Sequence, residues 1–192
     1  MSSVTVAVEG PLDVEIARQI LATAGHELVV PYVLRGKAAL DARLPDYNEA
    51  ARHSRWLVLR DLDQDAPSAC DLVTALLPKR APLLRFRIAV REAEAWLLGD
   101  RKSIADFLAV AESRVPLDAD SVADPKQELV NLARHSRNRD IREGMVPERA
   151  LRAVGPGYQT LMTQFILEGW SPKRASRHSD SLRRCLRAVE RW

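Results

Sequence analysis

Two carboxylates, Glu9 and Asp13, lie at a predicted strand-to-helix corner near the start of the chain. The β-branched run before Glu9 predicts a strand, and Gly10-Pro11 ends it and opens a helix whose first turn carries Asp13. Ligands of α/β proteins collect outside the carboxyl ends of the strands, where helix N-termini normally attract anions. Acidic side chains concentrated at this corner therefore indicate a site for a cation.

A second pair of carboxylates, Asp61 and Asp63, follows the apolar segment 56–60. Because side chains alternate along an extended segment, the two are predicted to point to the same side. If the two strands are neighbours in the sheet, Glu9 converges with this pair. Carboxylate ligands without cysteine or histidine suit Mg²⁺ or Mn²⁺ rather than Zn²⁺.

The elements that must position these acids alternate between strand and helix. Apolar segments predict strands at about 4–8, 27–33, 56–60 and 83–89. Helical spacing predicts helices at about 12–24, 37–53 and 68–77. This alternation predicts an α/β fold with a mostly parallel four-stranded sheet flanked by helices.

From Glu92 onward the pattern is helical. Residues 91–98 read as a helix on which Glu92 and Glu94 point in different directions, so at most one of them faces the acidic corner. Asp124-Pro125-Lys126 predicts the start of another helix, and residues 134–142 read as a basic connector. We expect an α/β domain over 1–100 and a helical C-terminal extension over 101–192 packed on it.

Composition and charge limit the class of protein. The 192 residues are 46% hydrophobic and 29% charged, without an apolar run of the roughly 18 residues that span a bilayer and without a signal-peptide pattern. We expect a cytoplasmic protein with no membrane partner. The net charge of +3 is uneven: residues 1–100 hold 12 Lys/Arg and 14 Asp/Glu, and residues 101–192 hold 17 and 12. This asymmetry is typical of a metal site followed by a polyanion-binding part, although a solvated basic surface gives the same counts.

The order and spacing of the acids resemble a known family. A strand ending in Glu-Gly-x-x-Asp (Glu9, Gly10, Asp13), followed about fifty residues later by a strand ending in Asp-x-Asp (Asp61, Asp63), is similar to the Toprim fold of topoisomerases, primases and overcoming-lysogenization-defect (OLD) nucleases. The position of Asp13 resembles the OLD branch. Residues 91–98, the Asp124-Pro125-Lys126 element and the Gly-Pro-Gly-Tyr turn before Tyr158 are similar to small stand-alone bacterial Toprim-like proteins.

The resemblance implies Mg²⁺- or Mn²⁺-dependent cleavage of phosphodiester bonds. In this reading Glu9, Asp61 and Asp63 hold one metal ion, and Asp13 with Glu92 or Glu94 holds a second. Lys126 acts as an electrostatic stabiliser of the phosphate. The nucleic acid, DNA in preference to RNA, is expected to contact basic residues of the C-terminal half, namely Arg134, Arg137, Arg139, Arg142, Lys173, Arg174 and Arg177.

The departures from the family are informative. OLD nucleases carry an ATPase segment and this chain has none, so the resemblance implies a separate ATPase partner, with defence against phage or foreign DNA as the setting. No region resembles a topoisomerase gate domain or a primase zinc module. The alternative is a non-catalytic Toprim-like module that docks nucleic acid or a protein.

Each candidate residue also has a structural interpretation. Glu9 can be a turn acid, and Asp13 can complement the helix dipole for roughly 0.3 to 1 kcal/mol. Glu92 and Glu94 can pair with nearby arginines, Lys126 can be an exposed first-turn lysine, and any single basic residue can belong to a solvated face. The aromatic residues Trp96, Tyr158, Phe165 and Trp170 are expected in the core rather than against bases.

Overall fold

Four parallel strands form the centre of the structure, a computed structural model that describes residues 2–148 and 152–192. Their order across the sheet is β2-β1-β3-β4, and each neighbouring pair is parallel. The predicted parallel α/β architecture is therefore confirmed, and the strands that carry Glu9 and Asp61 are neighbours. The strands are β1 (Ser2–Val8), β2 (His26–Val33), β3 (Arg55–Asp61) and β4 (Leu84–Ala89).

Helices connect the strands and then make up the rest of the chain. Between strands lie α1 (Pro11–Thr23), α2 (Lys37–Ala50) and α3 (Ala69–Leu76). After β4 follow α4 (Glu94–Leu98), α5 (Arg101–Phe107), α6 (Pro125–Arg134), α7 (Arg139–Met145), α8 (Tyr158–Glu168), α9 (Pro172–Ala175) and α10 (Asp180–Val189). Short 3₁₀ turns at Glu112–Arg114 and Ala119–Ser121 join α5 to α6.

Local sequence explains where several helices begin and end. Pro11 and Pro125 occupy first-turn positions of α1 and α6, where a missing backbone N–H costs nothing. Asp124 caps α6 by accepting a 2.8 Å hydrogen bond from the backbone N–H of Gln127. Gly25 follows α1 with a φ of +79°, a backbone conformation that glycine adopts without strain.

The two faces of the sheet are covered by different helices. On one face, Val6 and Leu57 pack in a cluster with α1 and with the helices of the C-terminal half. On the other, Val58 and Phe86 pack with α2 and α3 in a smaller cluster. Because side chains alternate along each strand, every interior strand contributes to both clusters. Strands β1, β3 and β4 are thus largely buried, most of β2 is exposed, and the loops that follow the strands lie at the carboxyl edge of the sheet.

Two indole groups tie the C-terminal helices to the core. Trp96 is fully buried, and its Nε1 donates a 2.7 Å hydrogen bond to Ser181 Oγ at the start of α10. Trp170 Nε1 donates a 3.0 Å bond to the carbonyl oxygen of Trp96. These bonds and the burial of Phe165 confirm the prediction that the aromatic residues of this half are core residues.

Two local predictions differ from the structure. The helix expected over 91–98 begins only at Glu94, so Glu92 precedes it and is free of helical geometry. The expected connector at 134–142 is partly helical, because Arg134 ends α6 and Arg139 begins α7 after the cap Asn138. Across the described part of the chain, no helix has both the length and the apolar character needed to cross a bilayer.

Candidate functional site

Hydrogen bonds join the loops at the carboxyl edge of the sheet. Glu9, directly after β1, accepts a 3.0 Å bond through Oε1 from the backbone N–H of Asp61 at the end of β3. Asp61 Oδ1 in turn accepts a 2.9 Å bond from the backbone N–H of Ala93, after β4. Asp13 Oδ2 folds back on its own loop and accepts a 2.8 Å bond from the N–H of Gly10. Three strand ends are thereby held at one corner.

Glu92, Glu94 and Lys126 complete this corner from the C-terminal half. Lys126 Nζ lies 3.3 Å from Glu94 Oε1 and 4.0 Å from Glu92 Oε2. The backbone N–H of Lys126 also donates a 3.3 Å bond to Glu92 Oε2. Lys126 is therefore placed at the acidic corner, as expected, and the loop position of Glu92 lets both glutamates approach it.

Burial and mutual repulsion raise the pKa values of three acids at the corner. Burial, followed by the charge of Glu94, raises the pKa of Asp13 to about 7. Burial, followed by the charges of Asp13 and Glu94, raises the pKa of Asp61 well above its usual value. Burial also raises the pKa of Glu9. Since carboxyls that raise one another's pKa lie close together, the site residues of both halves share one electrostatic environment.

Lys126 supplies positive charge to these acids. Burial acts to lower its pKa, but the charges of Glu94 and Glu92 outweigh that effect and raise the pKa to about 12. The ammonium group is therefore firmly charged at neutral pH. Burial still raises the pKa of Glu92, so the lysine does not neutralise the cluster completely.

Asp63 belongs to a different set of contacts. Strand β3 ends at Asp61, and Asp63 adopts a left-handed φ of +48°, so the alternation expected of an extended segment does not reach it. Its Oδ2 accepts a 2.9 Å hydrogen bond from Lys37 Nζ, which also bonds Asp65. The charge of Asp63 is still felt at Glu9, where it helps to raise the pKa.

A buried arginine, Arg60, contacts both Glu9 at the corner and the acids on the Asp63 side. Arg60 is 3% exposed and forms ion pairs with Asp41 at 3.0 Å and Asp65 at 2.7 Å. Its Nε lies 3.7 Å from Glu9 Oε1. Sequence reasoning did not assign Arg60 a role. The available signal was an arginine inside an otherwise apolar strand, which requires buried anionic partners.

Tyr158 was expected only to pack, yet it borders the acids. Its hydroxyl is buried and has no hydrogen-bond partner among the described residues. Burial, followed by the charges of Glu94 and Glu92, raises its pKa. The Tyr158 hydroxyl therefore lies in the same electrostatic environment as Glu94 and Glu92.

The corner is not an assembled metal site. No three His, Cys, Asp or Glu side chains within 2–148 and 152–192 are arranged to hold a metal ion together. The donor chemistry nevertheless fits Mg²⁺ or Mn²⁺, because the converging groups are carboxylates whose repulsion a divalent ion relieves.

The predicted nucleic-acid contacts separate into two groups. Arg174 bonds the buried carboxylate of Asp100 at 2.8 Å, Arg139 pairs with Glu143, and Arg142 donates to the carbonyl oxygen of Ser136. These three side chains have partners within the chain, although Arg139 and Glu143 are both largely exposed. The others are exposed and form no ion pair within the described residues, namely Arg134, Arg137, Lys173 and Arg177.

Comparisons with known proteins identify no relative of this chain. Comparison with protein-family models, with curated proteins and with solved structures found no match for the chain.

Proposed function

We propose that this chain is a divalent-metal-dependent nuclease of Toprim type that hydrolyses phosphodiester bonds. The observation that carries the proposal is the convergence of Glu9, Asp13, Asp61 and Glu94 at the carboxyl edge of a parallel sheet, with pKa values raised by burial and mutual repulsion. Folding brings these charges together at a cost in stability, which a bound cation offsets. Ligand sites of α/β proteins occur at this edge.

The proposed site has metal ligands and one cationic residue. Asp61, Asp13 and Glu94 are the proposed metal ligands, with Glu9 beside them and Glu92 at the rim. A bound Mg²⁺ supplies a Lewis acid for a phosphate oxygen and for the leaving oxygen. Lys126, whose pKa is about 12, places a fixed positive charge beside the same position. Asp63 has to release Lys37 before it can act as a ligand.

The exposed basic residues support a polyanionic substrate. Arg134 and Arg137 flank the loop between α6 and α7, while Lys173 and Arg177 lie on and after α9. Such groups bind phosphates without reading sequence, and their contribution falls steeply with salt. DNA is the proposed substrate. A separate ATPase subunit, a role in defence against foreign DNA and a cytoplasmic location remain part of the proposal and rest on the Toprim resemblance and composition.

A cleavage assay tests the proposal. The purified chain is incubated with single- and double-stranded DNA and RNA in Mg²⁺, Mn²⁺ or EDTA, beside Asp61→Asn and Glu9→Gln. Matched controls are Asp106→Asn and Glu15→Gln, which make the same chemical change on α5 and α1, away from the corner. We expect metal-dependent cleavage that both site variants lose and both controls keep. Cleavage that survives Asp61→Asn contradicts the site.

The second candidate is a non-catalytic binding module. The exposed Arg134, Arg137, Lys173 and Arg177 favour it, because they provide phosphate contacts independently of the acids. It predicts salt-sensitive DNA binding without cleavage in any metal. It also predicts that Asp61→Asn leaves DNA affinity unchanged, whereas Arg134→Glu with Arg137→Glu lowers it.

A further inference from the structure

A cavity of about 410 Å³ lies along the outer side of β4, between α3 and α10. Its floor includes Phe86 and Ile88 of the strand. One wall is formed by α3, which contributes Ala69 and Val73, and the other by the start of α10. The cavity is thus a groove that runs along one edge of the sheet.

The edge strand in this groove offers unused backbone groups. Within the described sheet β4 pairs only with β3. The carbonyl oxygens of Leu83 and Ala89 bond residues of β3 or its extension, so odd-numbered positions face β3. Because backbone groups alternate in direction along a strand, Phe86, Ile88 and Val90 direct their N–H and C=O groups into the groove. An open row of this kind is a template for another strand.

The two walls of the groove differ in chemistry. The α3 wall is largely apolar, whereas Arg87 and Arg184 lie on the α10 side and Arg80 lies near the start of the strand. Arg87 Nε is buried and has no hydrogen-bond partner among the described residues. Asp180, on the α10 side, is already paired with Arg183 and Arg184. The lining also includes Asp120, so three arginines stand against two aspartates and the net charge of the groove is positive.

We propose that this groove binds an extended segment of a partner protein, which adds to β4 as a fifth strand. Since side chains of the added strand alternate between the two walls, the segment has apolar residues facing Ala69 and Val73. Its acidic residues alternate with these and face Arg87 and Arg184. A second copy of this chain does not fit, because pairing two β4 edges brings the same arginines together. The site is independent of the acidic corner and of the proposed nuclease activity.

Cys70 provides a reporter inside the groove. It is exposed and lines the cavity, whereas Cys185, the other cysteine of the chain, is buried. A thiol-specific reagent therefore modifies Cys70 in preference to Cys185 in the native protein. The probes are an acetylated, amidated peptide of alternating Val and Glu and its Val and Lys counterpart.

We expect the Val-Glu peptide to slow Cys70 modification in a saturable manner. At ten times its Kd, the rate should fall about tenfold, because only the unoccupied fraction reacts. The Val-Lys peptide should not protect. The proposal is overturned if the Val-Glu peptide leaves the rate unchanged up to millimolar concentrations, or if both peptides protect equally. It is also overturned if raising the protein concentration alone protects Cys70, which indicates self-association.

Charge reversal supplies the matched variants. Arg80 and Arg184 are exposed, so Arg80→Glu with Arg184→Glu changes the groove without disturbing the core. Arg18→Glu with Arg43→Glu makes the same change on α1 and α2, outside the groove. We expect the first pair to abolish protection by the Val-Glu peptide and to permit protection by the Val-Lys peptide, while the control pair behaves as wild type. An unchanged peptide preference in the groove variant contradicts the inference.

Discussion

The backbone N–H of Asp61 donates a 3.0 Å hydrogen bond to Glu9 Oε1 and so joins the ends of β3 and β1. This bond orients Glu9 across the carboxyl edge of the sheet. It also stabilises the ionised form of Glu9 against the burial that raises its pKa. Burial and the neighbouring acids also raise the pKa values of Asp13 and Asp61 at the same corner.

Asp13→Asn should stabilise the metal-free protein at neutral and higher pH. The folded chain holds the Asp13 proton up to about pH 7, whereas the ordinary pKa is 3.8. Between these values the folded state binds more protons than the unfolded state, so the wild-type free energy of unfolding falls as pH rises. Asn retains an acceptor for the Gly10 N–H. Denaturation in EDTA should show a gain of about 4 kcal/mol above pH 7 that vanishes below pH 4. A gain independent of pH contradicts this.

Arg60→Met should destabilise the fold strongly. The guanidinium is 3% exposed, and its loss leaves Asp41, Asp65 and Glu9 without their shared cation. Breaking a buried ion-pair network in this way costs about 3–5 kcal/mol. Arg52→Met removes an exposed ion pair with Glu49 and should stay within about 0.5 kcal/mol. Urea denaturation compares the two, and equal effects would show that the Arg60 network contributes nothing to stability.

Tyr158→Phe should leave the free energy of unfolding unchanged within about 0.5 kcal/mol, or raise it. The hydroxyl is buried with no hydrogen-bond partner among the described residues, so its removal relieves a desolvation cost. Chemical denaturation in EDTA is the measurement. A loss above about 1 kcal/mol would mean that the hydroxyl donates to Glu94 in solution.

Lys126→Met should separate cleavage from metal binding. The variant removes a positive charge from the acids, so Mn²⁺ affinity should not fall. If the ammonium group stabilises charge on the phosphate, the cleavage rate constant should fall about 100-fold. Lys102→Met, on the exposed i,i+4 pair with Asp106, is the control. Calorimetry measures the Mn²⁺ affinity, and single-turnover kinetics measure the cleavage rate constant. If both fall together, Lys126 stabilises the fold rather than the charge on the phosphate.

Much of the fold follows from the sequence because the apolar segments are short and well separated. The strands that precede Glu9 and Asp61 are bounded by polar residues. The helix-forming segment after Gly10 predicts a crossover connection between parallel strands. The start of α6 was also predictable, since Asp124 and Pro125 mark it. The sequence therefore predicts an element boundary well where a single turn or helix cap determines it.

The contacts that depend on distant segments were not predictable. Asp63 departs from strand geometry, and its carboxylate binds Lys37. Arg174, which was expected to contact phosphate, pairs with the buried Asp100. The groove beside β4 exists because α10 returns to the sheet from the far end of the chain. None of these partners is close in sequence, so no local pattern identifies them.

Titration of Mn²⁺ into the wild-type protein and Asp61→Asn, followed by calorimetry at pH 6, tests the central claim most directly. We predict saturable binding to the wild type with release of protons, since the raised pKa of Asp13 leaves protons for the metal to displace. Asp61→Asn should weaken binding at least about tenfold, while Asp106→Asn should not. Equal affinity in wild type and Asp61→Asn, or no binding by the wild type at millimolar Mn²⁺, would contradict the account.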